Sequence, residues 1–589
     1  MTDWMLHHSQ QELYRSPFGA AACGEEVTLR LKVNSQVTPE KVVVRYWQEI
    51  LGAHEGQGGS QQEAIMEPVT GLSKHRMYQV KLRLPRTTGL VWYLFKVELS
   101  GKTFFYGNNQ KGLGGVGQIA TSLPPAYQIT VHDPKLTTPS WFKDGVIYQI
   151  FVDRFFNGCE DGRVLHPKPN SLLHAHWDSI PIYIRDIRHG EVIRWDFFGG
   201  NLLGVLKKLS YLKELGVSIL YLNPIFEAPS NHKYDTADYF KIDPMFGDNE
   251  IFHSLCQVAQ ELGIAVILDG VFSHTGSDSI YFNKEGNYPQ LGAYQSTESP
   301  YYSWYRFSQH PEHYESWWGI DTLPNVNELN SSYQNFIYQG ENSVVKYWMG
   351  QGTKGWRLDV VDELPGAFVK GIRQVMKKAD PDSILIGEVW EDASNKESYG
   401  ERRQYLLGYE LDSVMNYPFR KSLLDFALGV QDAAEVHQVL MSLYENYPLH
   451  HFYSAMNLIG SHDVPRTLTL LGEAPDGDTL TVKEMSTFKL SQEQRRLAVT
   501  RLKLLTLWQM TFPGVPSIYY GDEAGTEGHG DPLCRKPFPW GQEDQELLNW
   551  HKLLIGLRNK LAVLRTGQWI PLVAEGDVYG YLRCIENGH

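Results

Sequence analysis

Several features that would point to other classes of protein are missing from this 589-residue sequence. It has no block of basic residues and its formal net charge is −14, so neither nucleic acid nor an anionic membrane surface is an expected partner. No run of about 18 apolar residues occurs, so no membrane-spanning helix is predicted. Internal repeats and low-complexity segments are also missing. A globular protein of ordinary composition is therefore expected.

Cysteine is scarce and scattered, with five residues and no CxxC spacing: Cys23, Cys159, Cys256, Cys534 and Cys584. This pattern argues against a disulfide framework and against a zinc site, and it fits a reducing compartment. The first eight residues lack the basic segment and apolar core of a signal peptide. Together these features predict a cytoplasmic location.

The length and the aromatic content of the chain give the first positive indications. A chain of 589 residues is too long for one hydrophobic core, so two to four domains are expected. Aromatic residues make up 13% of the chain, an excess that suits either an aromatic core or a surface that stacks flat ligands.

Residues 1–130 alternate between apolar and polar positions, as strands do. The clearest runs are Glu26–Val33, Lys41–Trp47, Tyr78–Leu84, Val91–Val97 and Lys102–Tyr106, separated by Gly, Asn and Ser turns. This pattern predicts an N-terminal β-sandwich. Residues 131–144 are predicted to be a linker.

From residue 145 onward, apolar strand-like runs alternate with helical stretches. The strand candidates are Val146–Phe151, Ser218–Asn223, Ala265–Gly270, Gly355–Val360, Ile384–Val389, Leu411–Met415, Ala455–Ile459 and Pro516–Tyr520. Eight such units predict a (β/α)8 TIM barrel over residues 145–540. The long aromatic-rich gap at 275–350 predicts an inserted subdomain after the third strand. Residues 541–589 contain a last helix and a short or truncated C-terminal β region.

Acidic residues stand where four of these strands end. They are Asp269, Asp359, Glu388 and Asp463. In a barrel, all four lie at the same rim, where catalytic residues are found. Clustered charges repel one another and lose solvation, so stability alone is a poor explanation for them.

Asp359 and Glu388 are 29 residues apart, which is close to the length of one βαβ unit. We therefore expect them to end neighbouring parallel strands. Two carboxylates that face each other across a cleft are what the cleavage of a glycosidic bond requires.

Four segments, in order along the chain, resemble the conserved regions of the α-amylase family of glycoside hydrolases (family thirteen): Asp269–His274, Gly355–Asp359, Gly387–Trp390 and Gly460–Asp463. Asn231–Asp238 looks like the loop after the second strand in the neopullulanase, cyclomaltodextrinase and maltogenic amylase group. Gly514–Glu523 resembles the eighth strand of the family. The resemblance covers about residues 145–540, and the set of motifs is specific where one alone would be weak.

The resemblance implies a retaining mechanism with three acids. Asp359 is implied to be the nucleophile, Glu388 the general acid and base, and Asp463 the acid that holds sugar hydroxyls. Arg357 lies two residues before the nucleophile, on the same face of the strand, where a fixed cation would keep Asp359 ionised.

The substrate-binding residues that the resemblance implies are Tyr234 as a stacking platform, His232 as its polar neighbour, His274 and His462 as hydrogen-bonding groups, Trp390 on the acceptor side, and Asp269. The Trp317–Trp318 pair is predicted to be core of the inserted subdomain. No organic cofactor is implied.

The resemblance also implies a structural calcium ion held by Asn157, Asp161, Gly199 and Asn201, since calcium prefers oxygen ligands. Two residues depart from the usual pattern, because Cys159 and Asn201 stand where the related group has Asp. The alternative is an ordinary Asn-Gly turn.

Two other departures concern the site and the specificity. Ser273 stands where the family usually has Asn, and Leu323–Asn327 differs from the usual Met-Pro-Lys-Leu-Asn of the neopullulanase group. The exact substrate specificity therefore stays open at this point.

The expected function is hydrolysis of α-1,4-glucosidic bonds in maltooligosaccharides, cyclodextrins or pullulan, with some α-1,6 cleavage or transglycosylation. One alternative is an exo-acting enzyme that resembles α-glucosidases and oligo-1,6-glucosidases. Another is a sugar-binding protein with an inactive barrel. The related group also implies a homodimer formed through the N-terminal domain.

Overall fold

The computed structural model describes residues 4–49, 59–69, 75–135, 137–186, 188, 190 and 192–585. In this part of the chain, two β-sheets precede a barrel of eight parallel strands, as the sequence predicts. No described helix combines the length and the hydrophobicity that are needed to cross a bilayer.

The N-terminal sheets enclose a core of alternate strand residues, such as Val27, Leu29 and Leu31. One sheet contains Met5–Leu6, Arg15–Ser16, Glu26–Asn34, Glu67–Val69 and His75–Arg83. The other contains Ala21–Ala22, Lys41–Gln48, Gln62–Ile65, Gly89–Leu99, Lys102–Gly107, Gln118–Ala120 and Tyr127–His132. All five predicted strand runs in this region are confirmed. We refer to these two sheets as the sandwich.

Eight parallel strands form the barrel, in chain order Ile147–Ile150, Ile219–Leu222, Ala265–Gly270, Gly355–Leu358, Ile384–Gly387, Ser413–Val414, Met456–Leu458 and Val515–Tyr519. The strands pair in the order 6-5-4-3-2-1-8-7. A parallel bridge between Met415 and Met456 joins the sixth strand to the seventh. Each predicted strand is therefore present, and apolar side chains such as Ile147, Ile267 and Met456 pack together inside the barrel.

Helices surround the barrel, and most of them bury apolar side chains. They are Leu202–Lys207, Leu209–Leu215, Asn249–Glu261, Val344–Gly350, Gly366–Ala379, Tyr417–Ala427, Ala433–Asn446, Leu449–Phe452, Thr467–Leu471, Val482–Thr487, Gln492–Thr511, Gln545–Lys560 and Ala562–Thr566. Most begin at a residue whose side chain caps the first turn. Asp248 and Ser491, for example, accept hydrogen bonds from the backbone N–H groups of Ile251 and Gln494.

The long connections between strands and helices form additional small elements on the barrel. After the third strand, residues 271–343 contain the strand pair Phe307–Gln309 and His313–Tyr314 and the helix Ser331–Gln334. After the fifth strand, Glu397–Ser398 and Glu401–Arg402 form a hairpin. These loops rise from the rim at which the strands end, so they form the walls of the site.

The two ends of the barrel region have secondary structure of their own. Residues 131–144, predicted as a linker, include the end of strand Tyr127–His132 and the helix Ser140–Lys143. The last helix is followed by an antiparallel hairpin, Gln568–Glu575 and Val578–Cys584.

The sandwich is fixed to the barrel by a buried ion pair. Arg15 Nη1 lies 2.7 Å from Glu445 Oε1, on helix Ala433–Asn446, and both side chains are almost fully buried. Removing one partner of a buried pair leaves an uncompensated charge and costs about 3–5 kcal/mol. This contact therefore holds the two parts of the chain together.

Candidate active site

The guanidinium group of Arg357 contacts three of the predicted acidic residues. Arg357 Nη1 lies 2.7 Å from Asp269 Oδ1 and 2.8 Å from Asp359 Oδ1, and Arg357 Nη2 lies 2.8 Å from Glu388 Oε2. The third, fourth and fifth barrel strands are adjacent and in register, which brings these side chains to one point of the rim. The predicted step of one strand between Asp359 and Glu388 is confirmed.

The residue after Asp359 has an unusual backbone conformation. Val360 has a φ of 39° and a ψ of 50°, in the left-handed region that β-branched residues rarely adopt. Its N–H donates to Glu388 Oε2 over 2.9 Å. The strained turn thus fixes Glu388 relative to Asp359, and strain of this kind is concentrated at functional sites.

The charges of this cluster do not balance, since three carboxylates surround one cation. Burial raises the pKa of Asp359, the positive charge of Arg357 opposes this, and the carboxylates of Glu388 and Asp269 raise the pKa further. Burial likewise raises the pKa of Asp269. The cluster consequently favours retention of a proton among its carboxyl groups.

A second group of side chains connects Tyr234 to Asp463. The Tyr234 hydroxyl donates to Asp269 Oδ2 over 3.0 Å, and its ring stacks on His462 with centroids 5.5 Å apart. His462 Nε2 lies 3.2 Å from Asp463 Oδ2. Burial, together with the nearby Glu388 carboxylate, raises the pKa of Asp463 to about 7. The contacts with Asp269 and His462 hold the ring of Tyr234 in the wall of the cleft.

The three predicted histidines are neutral at pH 7. Burial lowers the pKa of His274 to about 4 and lowers those of His232 and His462 well below the ordinary value. Both ring nitrogens of His274 already have partners, Ser273 Oγ at 2.9 Å and the Tyr234 carbonyl at 3.1 Å. Ser273 thus supplies a hydrogen bond where the family usually has Asn.

Most of the predicted residues line one open cleft of about 1240 Å³. The predicted residues that line it are His232, Tyr234, His274, Asp359, Glu388, Trp390 and Asp463. Asp269, Arg357 and His462 are at most 2% exposed and lie behind this wall. The predicted site residues therefore form two layers: one faces the cleft, and the other lies behind it and supports the first.

Trp390 is placed to contact a ligand and the acid at the same time. It is 45% exposed, its ring stacks on Tyr417 at 3.8 Å, and its Nε1–H donates to Glu388 Oε1 over 3.2 Å. An exposed, supported ring beside a carboxylate suits the stacking of a sugar face.

The prediction that the Trp317–Trp318 pair is core of the inserted subdomain is wrong, since both residues line the cleft and Trp318 is strongly exposed. Its side chain is 79% exposed in the cleft, stacked on Trp317 with centroids 4.9 Å apart. Its φ of 51° turns the ring outward, and its Nε1–H donates to Glu363 Oε1 over 3.0 Å. The excess of aromatic residues was the only sequence signal that could have indicated this platform.

Sequence reasoning also missed a polar group around Arg535. Arg535 Nη1 lies 2.9 Å from Asp531 Oδ1, and Arg535 Nη2 lies 3.6 Å from Asp463 Oδ1. Asp531 also accepts a hydrogen bond of 2.7 Å from the Tyr183 hydroxyl. These residues come from loops after the first and eighth strands, and no motif of the sequence marks them.

An eight-stranded barrel whose C-terminal rim carries paired carboxylates in an open cleft has the arrangement of a glycoside hydrolase. The model of the alpha amylase catalytic domain matches residues 149–552. The chain therefore belongs to the α-amylase family of glycoside hydrolases, as its motifs predict.

Named relatives support this assignment. The chain is 40% identical, over its whole length, to an amylopullulanase from Thermoanaerobacter thermohydrosulfuricus, of which it covers 41%. It is 36% identical to neopullulanase 2 from Thermoactinomyces vulgaris over 77% of this chain and 69% of that protein.

Two solved structures resemble the whole chain. A cyclomaltodextrinase has a TM-score of 0.65 and 28% identity over 99% of this chain and 89% of its own. The type III pullulan hydrolase from Thermococcus kodakarensis also has a TM-score of 0.65, with 25% identity over 99% and 92% of the two chains. The chain spans less than half the length of the amylopullulanases that it matches.

The predicted calcium ligands Asn157, Gly199 and Asn201 lie together, but their hydrogen bonds do not suit a cation. Asn201 Oδ1 accepts from the N–H groups of Gly158 and Gly204, the latter in the first turn of helix Leu202–Lys207. The amide nitrogen of Asn201 must then face Asn157 Oδ1, at 3.1 Å, and the Gly199 carbonyl, at 3.2 Å.

An amide N–H group that points at these oxygens satisfies them and repels a cation. Asp161 does not supply a negatively charged ligand for a cation here, because its side chain is 61% exposed and bonds to the N–H of Arg163. The described residues also contain no group of three or more His, Cys, Asp or Glu that could hold a metal. The calcium ion stays a prediction, and the geometry counts against it.

We expect the melting temperature of the wild-type protein to change by less than about 1 °C between excess EDTA and millimolar calcium, since ligand binding raises stability only where a site exists. Asn201→Asp should behave differently. One oxygen would cap the helix while the other faced Asn157 and Gly199, so this variant should be destabilised in EDTA and recover with calcium. Scanning calorimetry measures both. A rise of several degrees for wild type with calcium would contradict the expectation.

Proposed function

We propose that this chain hydrolyses α-1,4-glucosidic bonds in maltooligosaccharides, cyclodextrins or pullulan, with retention of configuration. Cleavage of some α-1,6 bonds and transglycosylation are further activities of the same site. One observation carries the proposal: Asp359 and Glu388 end adjacent parallel strands and contact the same Arg357 side chain at the base of an open cleft. A retaining glycosidase requires two carboxyl groups about 5–5.5 Å apart.

In this mechanism Asp359 attacks the anomeric carbon and forms a covalent glycosyl-enzyme intermediate, while Glu388 donates a proton to the leaving oxygen. Glu388 then takes a proton from a water molecule that attacks the anomeric carbon, which breaks the bond to Asp359 and releases the sugar. Arg357 contacts Asp359 directly, and its positive charge opposes the rise in the pKa of Asp359 that burial causes.

The remaining residues hold the sugar at the cleaved bond. Asp463 faces the cleft and binds sugar hydroxyls, and Tyr234 provides a flat surface for the ring. His232 and His274 line the same wall, and Trp390 stands on the acceptor side, next to Glu388.

Asp359→Asn should lower kcat by at least about 10³-fold, because an amide cannot act as the nucleophile. Initial rates of reducing-sugar release from maltotriose measure this, with a melting curve to show that the variant is folded. Asp248→Asn is the matched control, since Asn caps a helix as well as Asp does. A near-normal kcat for Asp359→Asn would refute the nucleophile assignment.

The products from β-cyclodextrin and pullulan distinguish the proposed activity from its alternatives. An enzyme that cuts within a chain should open the β-cyclodextrin ring, whereas an exo-acting α-glucosidase-like enzyme needs a chain end and should leave it intact. Panose from pullulan would indicate α-1,4 cleavage and maltotriose would indicate α-1,6 cleavage. Chromatography of the products gives both results. Release of no sugar from maltotriose, cyclodextrin and pullulan alike would leave the inactive sugar-binding protein as the better explanation.

The relatives named neopullulanase and cyclomaltodextrinase favour opening of the β-cyclodextrin ring by this chain.

A cytoplasmic location and a homodimer formed through residues 1–130 belong to the same proposal. Light scattering of the purified protein at micromolar concentration should therefore give twice the chain mass of 67.3 kDa. A monomeric mass would refute the dimer without affecting the hydrolase.

A further inference from the structure

The sandwich also contacts the barrel away from the buried Arg15–Glu445 pair. One such contact is at the hairpin Glu397–Arg402, which follows the fifth barrel strand and therefore the residues Glu388 and Trp390. Two side chains of the sandwich, Glu49 and Gln128, bond to this segment and to the residues just before it.

Both carboxylate oxygens of Glu49 are used in this contact. Oε1 accepts from Arg402 Nε over 3.0 Å, and Oε2 accepts from Trp92 Nε1 over 2.9 Å. The two charged side chains are 17% and 18% exposed, so the pair is partly accessible to solvent. Arg402 also donates to the carbonyl of Asn395, at the start of the hairpin segment. Glu49 thus ties one strand of the hairpin to the sandwich.

Gln128 holds the other end of the same segment. Its Nε2 donates to Ser394 Oγ over 3.1 Å, and its Oε1 accepts from Asn395 Nδ2 over 2.9 Å. Gln128 is 5% exposed and Ser394 is 3% exposed, so both contacts are shielded from water. The hairpin is therefore held by the sandwich at both of its ends.

The hairpin in turn supports the rim of the cleft. Ser398 Oγ donates to the carbonyl of Asp362 over 2.9 Å, and Lys396 Nζ lies 3.1 Å from Asp362 Oδ2. Asp362 and its neighbour Glu363 line the cleft, three and four residues after Asp359. Glu363 Oε1 accepts the hydrogen bond from Trp318, which orients that exposed ring. A continuous series of contacts thus joins Glu49 to an aromatic surface of the cleft.

We propose that the N-terminal sandwich positions the wall of the cleft in its own chain, through the Glu49–Arg402 ion pair, and thereby sets the affinity for α-glucan chains longer than the unit that is cleaved. Glu49 and Arg402 are positioning residues, since neither lines the cleft. The inference rests on the proposed function, because it concerns how that site holds its substrate.

The expected size of the effect is modest. Ion pairs that are partly exposed contribute little to stability, and their loss corresponds to a change of about two- to fivefold in an equilibrium constant. The change should appear in the KM for long substrates, since the chemistry at Asp359 and Glu388 does not depend on the hairpin. A maltotriose that occupies only the centre of the cleft should be affected less.

The test compares Glu49→Ala, Arg402→Ala and the double variant on maltotriose and maltoheptaose. Each single variant should raise the KM for maltoheptaose about threefold with kcat unchanged, and the double variant should raise it no further, because both changes remove the same pair. Glu63→Ala is the matched control. Glu63 pairs with Arg45 and Lys96 within the same sheet of the sandwich. It should therefore leave both KM values unchanged.

The outcomes separate the inference from the proposed function. A fall in melting temperature without a change in the KM for maltoheptaose would show that the pair only stabilises the docking, and it would overturn the inference. Equal changes for Glu63→Ala would do so too. If the wild type released no sugar, the proposed function would fail. Calorimetric titration of the same variants with maltoheptaose would then decide the inference, which requires weaker binding by the Glu49 and Arg402 variants alone.

Discussion

The guanidinium of Arg357 is the group on which the arrangement of the site depends. It contacts Asp269, Asp359 and Glu388, and it is fully buried. Its two Nη atoms reach different carboxylates, a fork that the single ammonium of a lysine does not reproduce. Without it, three buried carboxylates would repel one another, and the desolvation of each, about several kcal/mol per ion, would have no compensation. The barrel can present an acid pair at its rim because one strand also supplies this arginine.

Much of the fold and part of the site could be predicted from the sequence, because their signals are local. The apolar runs of the strands recur at nearly the length of a βαβ unit, and an acid directly after a run has to lie at the rim. The residues around Arg535 could not be found in this way. Tyr183, Asp531 and Arg535 meet only after the barrel closes, and no periodicity relates their positions. Trp318 was misjudged for a similar reason, since its exposure follows from one left-handed residue in a long loop.

At the predicted calcium ligands, one side-chain atom determines whether the group of residues can hold a cation. A carboxylate at position 201 would have two oxygens, one for the helix and one for a cation. Asn201 has a single oxygen, and the first turn of helix Leu202–Lys207 uses it. The remaining amide nitrogen then bonds to the oxygens that a cation would otherwise hold. Similarity of residue types to the related group is therefore not sufficient to predict calcium binding at these positions.

The Arg15–Glu445 and Glu49–Arg402 ion pairs both join the sandwich to the barrel, but they differ in what they can do. Arg15 and Glu445 are nearly inaccessible to solvent, so breaking that pair is costly and the docking depends on it. Glu49 and Arg402 are partly exposed, so they add little to the docking. Their position matters more than their strength, because they act on a hairpin that supports Asp362 and, through Glu363, the Trp318 ring. A contact that is weak in free energy can still fix the place of a binding surface, provided that a stronger contact elsewhere holds the two parts together.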